Sequence, residues 1–504
     1  MAIAPRQPEP DDAVLGGQSV APLNGAVLGG IEGVKQRFEA GDIEQKKQAL
    51  DQALQYGDRG LVFLKVVFDG EFPDGIKDYA KKLWIVEILK KPGDKSLADV
   101  DLRGFDLSGI DLSGVSLRNT IIDNETKIDK KWRLVWEVIN QGSQNRDLSK
   151  ANLKGANLSG ANLSETNLSG ANLSKSNLSQ VNLNGSDLSG VNLREANLSG
   201  ANLSKSNLSQ VTLNDSDLSD ANLSEAILSR TSLRGTIITS STQIDSKWRL
   251  VWEIVNRGGQ NRDLSSADLS EADLTRVDLS QANLSKANLS RTSLAEANLT
   301  GADLMEANLI DVLMSLANLS NANLTRVNLS GTYCLIGANL TGAKLAGVDL
   351  SGASLNGVIL DQSTQIDFKW RLVWEIANQG GQNRDLSSAD LSGADLSLAD
   401  LNGADLSFAD LSGANLTGTD LSFADLSGAN LTGTDLSLAD LSGANLTGVD
   451  LSKAIQKPES AETESMRRIA LKTSRELRAA INAEKNALKK AQKRASKPDD
   501  KQKD

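Results

Sequence analysis

The sequence predicts a mainly β solenoid, a square coil broken by short helices and flanked by helices at both ends. Three observations carry this. A Leu recurs every fifth residue over most of the 504-residue chain, as at 158, 163, 168, 173, 178 and 183 in ANLSGANLSETNLSGANLSKSNLSQVNL. A small residue, mostly Ala with some Ser, Thr and Val, stands two places before each Leu. And six of the seven tryptophans fall in three near-identical segments that break the period.

A strand repeats on one face every two residues and a helix about every 3.6, so a period of five fits neither. It fits a chain that turns a corner every five residues and points Leu inward each time. The Asn or Asp before each Leu, the Ser or Thr after it and the frequent Gly next suit turns on the outside. Four such sides close a square coil, in which Leu158, Leu178 and Leu198 belong to one inner column. Burying each Leu is worth about 1.5–3 kcal/mol. No Pro occurs between residues 93 and 457, so no ladder hydrogen bond is lost to one, and pairing between coils satisfies the backbone.

This A(D/N)LXX pattern resembles the pentapeptide-repeat family, and nearly every unit between 148 and 451 matches it. The resemblance covers about 300 residues and implies a right-handed quadrilateral β-helix.

In chain order, residues 1–35 are rich in Gly and Pro and are expected to be flexible. Residues 36–95 read as a helical module of three helices. EQKKQALDQALQYG places Ala49, Leu50, Ala53 and Leu54 at helical spacing with Gly57 as a stop. DRGLVFLKVVFDG and DGIKDYAKKLWIVEILKK, with Trp84, form two more, and Pro92 ends the last. The module resembles one HEAT-type unit of the kind that precedes repeats in cyanobacterial proteins. Repeat tracts then occupy 96–122, 148–241, 264–363 and 386–456. In the third, Leu329 and Leu340 are eleven apart. The extra residue predicts a bulge, with Cys334 or Leu335 taking the inward place and Cys334 a buried small hydrophobe.

The inserts span 123–147, 242–263 and 364–385, each with a WRLVWE core. In the first, Trp132, Val135, Trp136 and Ile139 share one helical face, Asp129 can cap the start and Gly142 the end. A β-helix end exposes its leucines, and an amphipathic helix with two tryptophans must bury them. The pairs Trp132 and Trp136, Trp248 and Trp252, and Trp370 and Trp374 are therefore expected to cover rod ends or seams; a tryptophan-lined ligand site is the alternative. Residues 457–504 read as a basic tail, helical to about Ala495, with Met466, Ala470, Leu477, Ile481 and Leu488 in a narrow apolar stripe.

The net charge is −11, yet residues 456–504 carry 14 Lys and Arg against 8 Asp and Glu, so the remainder carries −17. The chain has no His and one Cys. This removes the common Zn and haem ligands, the usual neutral-pH base and any internal disulfide. No cofactor, metal or small-molecule substrate is expected. No P-loop, GxSxG or HExxH is present, and the Asp and Ser residues are placed by the repeat, so no catalysis is expected. MAIAPRQPEPDD has no apolar signal core, and LVFLKVVF (61–68) is too short to span a bilayer; the expectation is a cytoplasmic protein.

What remains is a scaffold or protein-interaction rod. Its partner is a protein, with self-association through the tail helix as a further option and nucleic-acid binding confined to the basic tail. Some pentapeptide-repeat proteins mimic a DNA duplex and bind DNA gyrase, and that resemblance gives the alternative. The residue before each Leu decides where it applies. In the second tract 12 of 19 are Asn and 3 are Asp; in the fourth 11 of 14 are Asp, including Asp400, Asp420 and Asp440, twenty residues apart. Those three mark the candidate acidic face. SFADLSGANLTGTDL repeats in the fourth tract at fifteen residues, out of step with a twenty-residue coil, so Phe408 and Phe423 are expected on different sides.

Overall fold

A computed structural model of the chain describes residues 30–90, 95–144, 146–327, 329 and 335–455. They form two compact units, one running to Ser186 with Glu195–Asn202, the other comprising Asp187–Arg194 and the chain from Leu203 on. Most of the N-terminal segment, Cys334 and the basic tail lie outside the described residues.

The first unit opens with four helices, α1 (Gly30–Ala40), α2 (Ile43–Ala53), α3 (Gly57–Asp69) and α4 (Asp74–Lys90). Asp42 caps α2 in a reciprocal box with Gln45. Helix is therefore already present at Gly30, ahead of residue 36. Two glycines in GIEGVKQRFEA hide α1 from propensity, but its Ile31, Val34 and Phe38 are buried. Phe38 meets Phe63 and Phe72 edge-on at 5.4 and 5.2 Å, and Phe68 meets Trp84 at 5.3 Å. Packing of this face outweighs weak local preference.

The coil follows. Asn157, Asn177 and Asn197 form consecutive parallel bridges twenty residues apart, so four pentapeptides make one turn. The Leu158 N–H donates to the Asn177 carbonyl and the Leu178 N–H to that of Asn197, both at 2.7 Å. Leu158, Leu178 and Leu198 are fully buried. At each corner the Leu carbonyl accepts from the N–H three residues on (Ala161 to Leu158, 3.0 Å). The third residue of that turn has positive φ, which explains Gly160. The Asn157 side-chain oxygen accepts from the Ser159 N–H, an Asx turn that rigidifies the corner. The bridges join equivalent residues in successive coils, most often the Asn or Asp before Leu.

Three further helices match the inserts, with α5 (Lys130–Gln141) in the first unit and α6 (Ser246–Arg257) and α7 (Phe368–Gln379) in the second. The coil runs further than 122, 241 and 363. Lys127, Gln243 and Gln365 still bridge to Asp106, Asn222 and Lys344, now 21 residues away. Thr126, Thr242 and Thr364 take the inward place, and each hydroxyl donates to a Leu carbonyl of the coil before. Asp129 does not cap its helix by side chain; it accepts from the Gly109 N–H one coil back. Gly142, Gly258 and Gly380 end the helices at φ of 80, 85 and 87°. The buried face of α5 is Trp132, Val135 and Val138, while Ile139 is only half-buried.

In the second unit the slip before Leu340 lengthens the Asn318–Asn339 and Asn323–Lys344 bridges to 21 residues, and spacing of twenty resumes at Asn339–Ile359. Leu335 takes the inward place and is buried.

Candidate functional site

Two kinds of place in this frame are not dictated by the coil itself: the seams, and the surface of the fourth tract.

At a seam the last coil of one block needs partners that the following coil would normally supply. At α6 the helix provides them through side chains. The Trp252 Nε1–H donates to the Thr236 carbonyl at 2.9 Å. The Asn256 amide donates to the Leu233 carbonyl at 3.0 Å and accepts from the Gly235 N–H at 2.7 Å, standing in for a peptide group of the missing coil. Trp374 and Asn378 do the same for Val358, Leu355 and Gly357, and Trp136 and Asn140 for Thr120, Leu117 and Asn119. Along another side the ladder jumps the helix. Gly114 N–H donates to Gly155, Arg230 to Glu271 and Gly352 to Gly393, each 41 residues on. Lys131, Lys247 and Lys369 place their ammonium groups over Trp132, Trp248 and Trp370 at 3.9, 4.9 and 4.8 Å. Trp132, Trp248, Trp252, Trp370 and Trp374 are buried and Trp136 is half-buried.

The fourth block differs in its surface. Its sequence has no Lys or Arg between residues 386 and 451. Asp400, Asp420 and Asp440 bridge one another in register, as do Asp385, Asp405 and Asp425. Each carboxylate serves its own corner: Asp405, Asp420 and Asp440 accept from Ser407, Ser422 and Ser442 N–H at 3.0 Å. Asn serves a corner equally well, and its amide nitrogen also donates to the coil before, as from Asn430 to Asp410 and from Asn445 to Asp425. An ionised Asp stacked on Asp has no proton to donate there. Hydrogen bonds from Ser387 and Ser427 hold the Asp385 and Asp425 carboxyls below their ordinary range, so both are charged at neutral pH. Ion pairs occur at the two ends of the block, Lys369–Asp390 at 3.1 Å and Lys453–Asp450 at 3.4 Å. Asp395 is the exception among these carboxylates, being only 4% exposed.

The corners add a second feature, one that sequence reading missed. Leu398, Phe408, Phe423 and Leu438 occupy the positive-φ corner position, at 57 to 63°, where a bulky side chain is unfavourable. Each of the first three lies over a glycine one coil later. A Cβ on Gly418, Gly428 or Gly443 would come within 2.9, 2.7 or 2.8 Å of Leu398, Phe408 or Phe423. The signal was present as a Leu or Phe corner followed twenty residues on by Gly. Phe408 and Phe423 remain 72% exposed. Contrary to the expectation of different sides, they stand at the two corners that bound one side, whose outward residues include Asp405 and Asp425.

Among the described residues no cluster of His, Cys, Asp and Glu has metal-binding geometry, and no helix is long and apolar enough to cross a membrane.

The family model for pentapeptide repeats matches residues 96–124, 147–242, 263–363 and 385–455, more than half of the chain. The chain belongs to the pentapeptide-repeat family. Among solved structures, this pentapeptide-repeat protein is similar to HetL from the cyanobacterium Nostoc, a family member involved in heterocyst differentiation regulation (26% identity, 64% of this chain, 94% of that one, TM-score 0.14). It is also similar to a family member from the Arabidopsis thaliana thylakoid lumen (30% identity, 23% and 74%, TM-score 0.16). A third is QnrB1, a plasmid-mediated fluoroquinolone resistance protein (19% identity, 43% and 80%, TM-score 0.13). No curated protein matches.

Proposed function

We propose that this pentapeptide-repeat protein is a non-catalytic scaffold, a protein-interaction rod whose binding surface is the fourth block. One observation carries the reading: Asp stands where Asn would serve the corner as well and the ladder better. Like charges directly opposite across a ladder destabilise it, and Phe408 and Phe423 stay exposed at corners that favour Gly. A surface that gives up stability in this way suits a partner with basic and apolar groups, drawn in by the block's field. The right-handed sense of the coil, the HEAT-like character of α1–α4 and a cytoplasmic setting go with this reading. The test is affinity capture from the native cell with the full chain and with a variant carrying Asp400→Asn, Asp420→Asn and Asp440→Asn. The expected result is a partner that is released by salt and absent from the variant's eluate. Capture of the same partner by both proteins, at the same salt, would remove the fourth block from the account.

A second reading is favoured by the same carboxylate stack: a DNA mimic that binds the basic DNA saddle of gyrase. Here the full chain inhibits supercoiling by purified gyrase and the triple Asn variant does not. Undiminished supercoiling at saturating protein excludes it.

A further inference from the structure

The ends of the coil are not treated alike. At the N-terminal end Leu97, Leu102 and Leu112 are fully buried, and α4 lies against this tract, with the Lys81 ammonium 5.0 Å from the Phe105 ring. Each of the three interior seams is closed by a Trp helix. Toward the C-terminal end the burial fades. Leu421 and Leu426 are fully buried and Leu431 and Leu436 nearly so, but Leu441, Leu446 and Leu451 are half-exposed, as are the inward Ala444, Val449 and Ala454 beside them. Ile455, whose N–H donates to the Thr434 carbonyl, is 46% exposed. An uncovered solenoid end of this composition exposes contiguous apolar surface, which soluble proteins ordinarily cover.

We infer that residues 457–504 of the same chain cap this end, as the helical module and the Trp helices cap the others. Only Gln456 separates the segment from Ile455, so it reaches the open coil without a linker. Met466, Ala470, Leu477, Ile481 and Leu488 recur at spacings of four and seven, the pattern of a helix with one apolar stripe. Its charge is +6, and the last coils before it carry Asp435, Asp440 and Asp450 with Lys453 as their nearest base in sequence. Apolar stripe meets apolar end, and the flanking Lys and Arg meet the rim of carboxylates. The occupant is this chain's own tail; a second copy stacked end to end is the competing occupant. Capping of this end does not depend on the partner proposed for the fourth block.

The test is hydrogen exchange on the full chain and on a variant with Leu477→Asp and Ile481→Asp, changes outside the coil that leave its folding untouched. The expected result is at least tenfold faster exchange in 431–455 in the variant, with 396–421 unchanged and with no dependence on protein concentration. A chain ending at Gln456 should show the same acceleration, and a peptide of residues 457–504 added to it should restore protection, less well in high salt. Equal exchange in the full chain and the variant overturns the inference. Protection of 431–455 that rises with protein concentration also overturns it, by assigning the end to a second copy.

Discussion

The third and fourth blocks share one backbone and differ in what their corners carry. In the third, the corner positions hold charges of alternating sign one coil apart: Arg276 with Glu296 at 2.9 Å, Arg291 with Glu271 at 3.5 Å and Asp311 at 3.8 Å, Arg326 with Glu306 at 3.3 Å. In the fourth, apart from Ser388, the same positions are Gly or a bulky apolar residue, with Leu398, Phe408 and Phe423 laid over Gly, and carboxylates stack on carboxylates. The inner columns are indistinguishable: Leu284, Leu289 and Leu294 are as buried as Leu401, Leu406 and Leu411. The coil is thus specified by two inward positions and one Asx turn, which leaves the corner and the second side-chain atom of the Asn or Asp free to vary. The third block fills that freedom with ion pairs one coil apart; the fourth fills it with stacked carboxylates and apolar corners.

The comparison can be broken first at the core. Leu289→Ala and Leu406→Ala should cost the same in either block, about 2–5 kcal/mol, measured as local opening free energy by native-state hydrogen exchange. A much smaller loss in one block would mean that the two cores are not equivalent.

At the seam between them, Asn378→Ala removes the amide that serves both Leu355 and Gly357 and should cost about 1–3 kcal/mol, since two buried backbone groups lose a partner. Exchange at Gly357 should accelerate before that of either block.

A corner change should separate the blocks. Gly428→Ala puts a Cβ into the Phe408 ring at a backbone φ of 66° and should cost about 1–2 kcal/mol. Adding Phe408→Ala should recover part of this in a double-mutant cycle. Glu296→Ala in the third block removes only an exposed pair and should cost about 0.2–1 kcal/mol.

Acid gives a smaller contrast. Arg276 holds the Glu296 carboxyl, and Ser229 and Arg291 hold that of Glu271, below the ordinary range. A depressed value means stability that is present above the ordinary Glu range and lost as pH falls through the folded-state value. Both blocks lose Asx-turn stabilisation by the same route, at Asp278 as at Asp425, but only in the fourth does protonation also relieve stacked charge. Between about pH 5 and 3 the third block should lose more protection than the fourth. Equal losses would show that stacking of carboxylates carries no energy here.

The period of five was enough to read the coil, because each repeat position has a single physical role. Leu158 fills the column, Asn157 makes the turn and the bridge, and Gly160 supplies positive φ. The inserts were legible as helices, since two tryptophans four residues apart share one apolar face. Their detail was not. Asp129 looks like a helix cap and instead serves Gly109, because the nearest unsatisfied donor belongs to a coil twenty residues back. Helix α1 was invisible because its case rests on Phe38 meeting Phe63 and Phe72, contacts no local pattern encodes. The register of Asp400, Asp420 and Asp440 was legible from their twenty-residue spacing, whereas the Phe408–Gly428 and Phe423–Gly443 pairs needed the coil length before their spacing meant anything.

The most direct test is the local stability of the fourth block, by hydrogen exchange at low salt, with Asp400, Asp420 and Asp440 all changed to Asn. If those charges serve a surface and not the coil, protection at Leu401 and Leu421 is unchanged or rises by up to about 1 kcal/mol, as Asn keeps the turn and adds a ladder donor. A loss of protection would show that the carboxylates hold the coil together and would contradict the account.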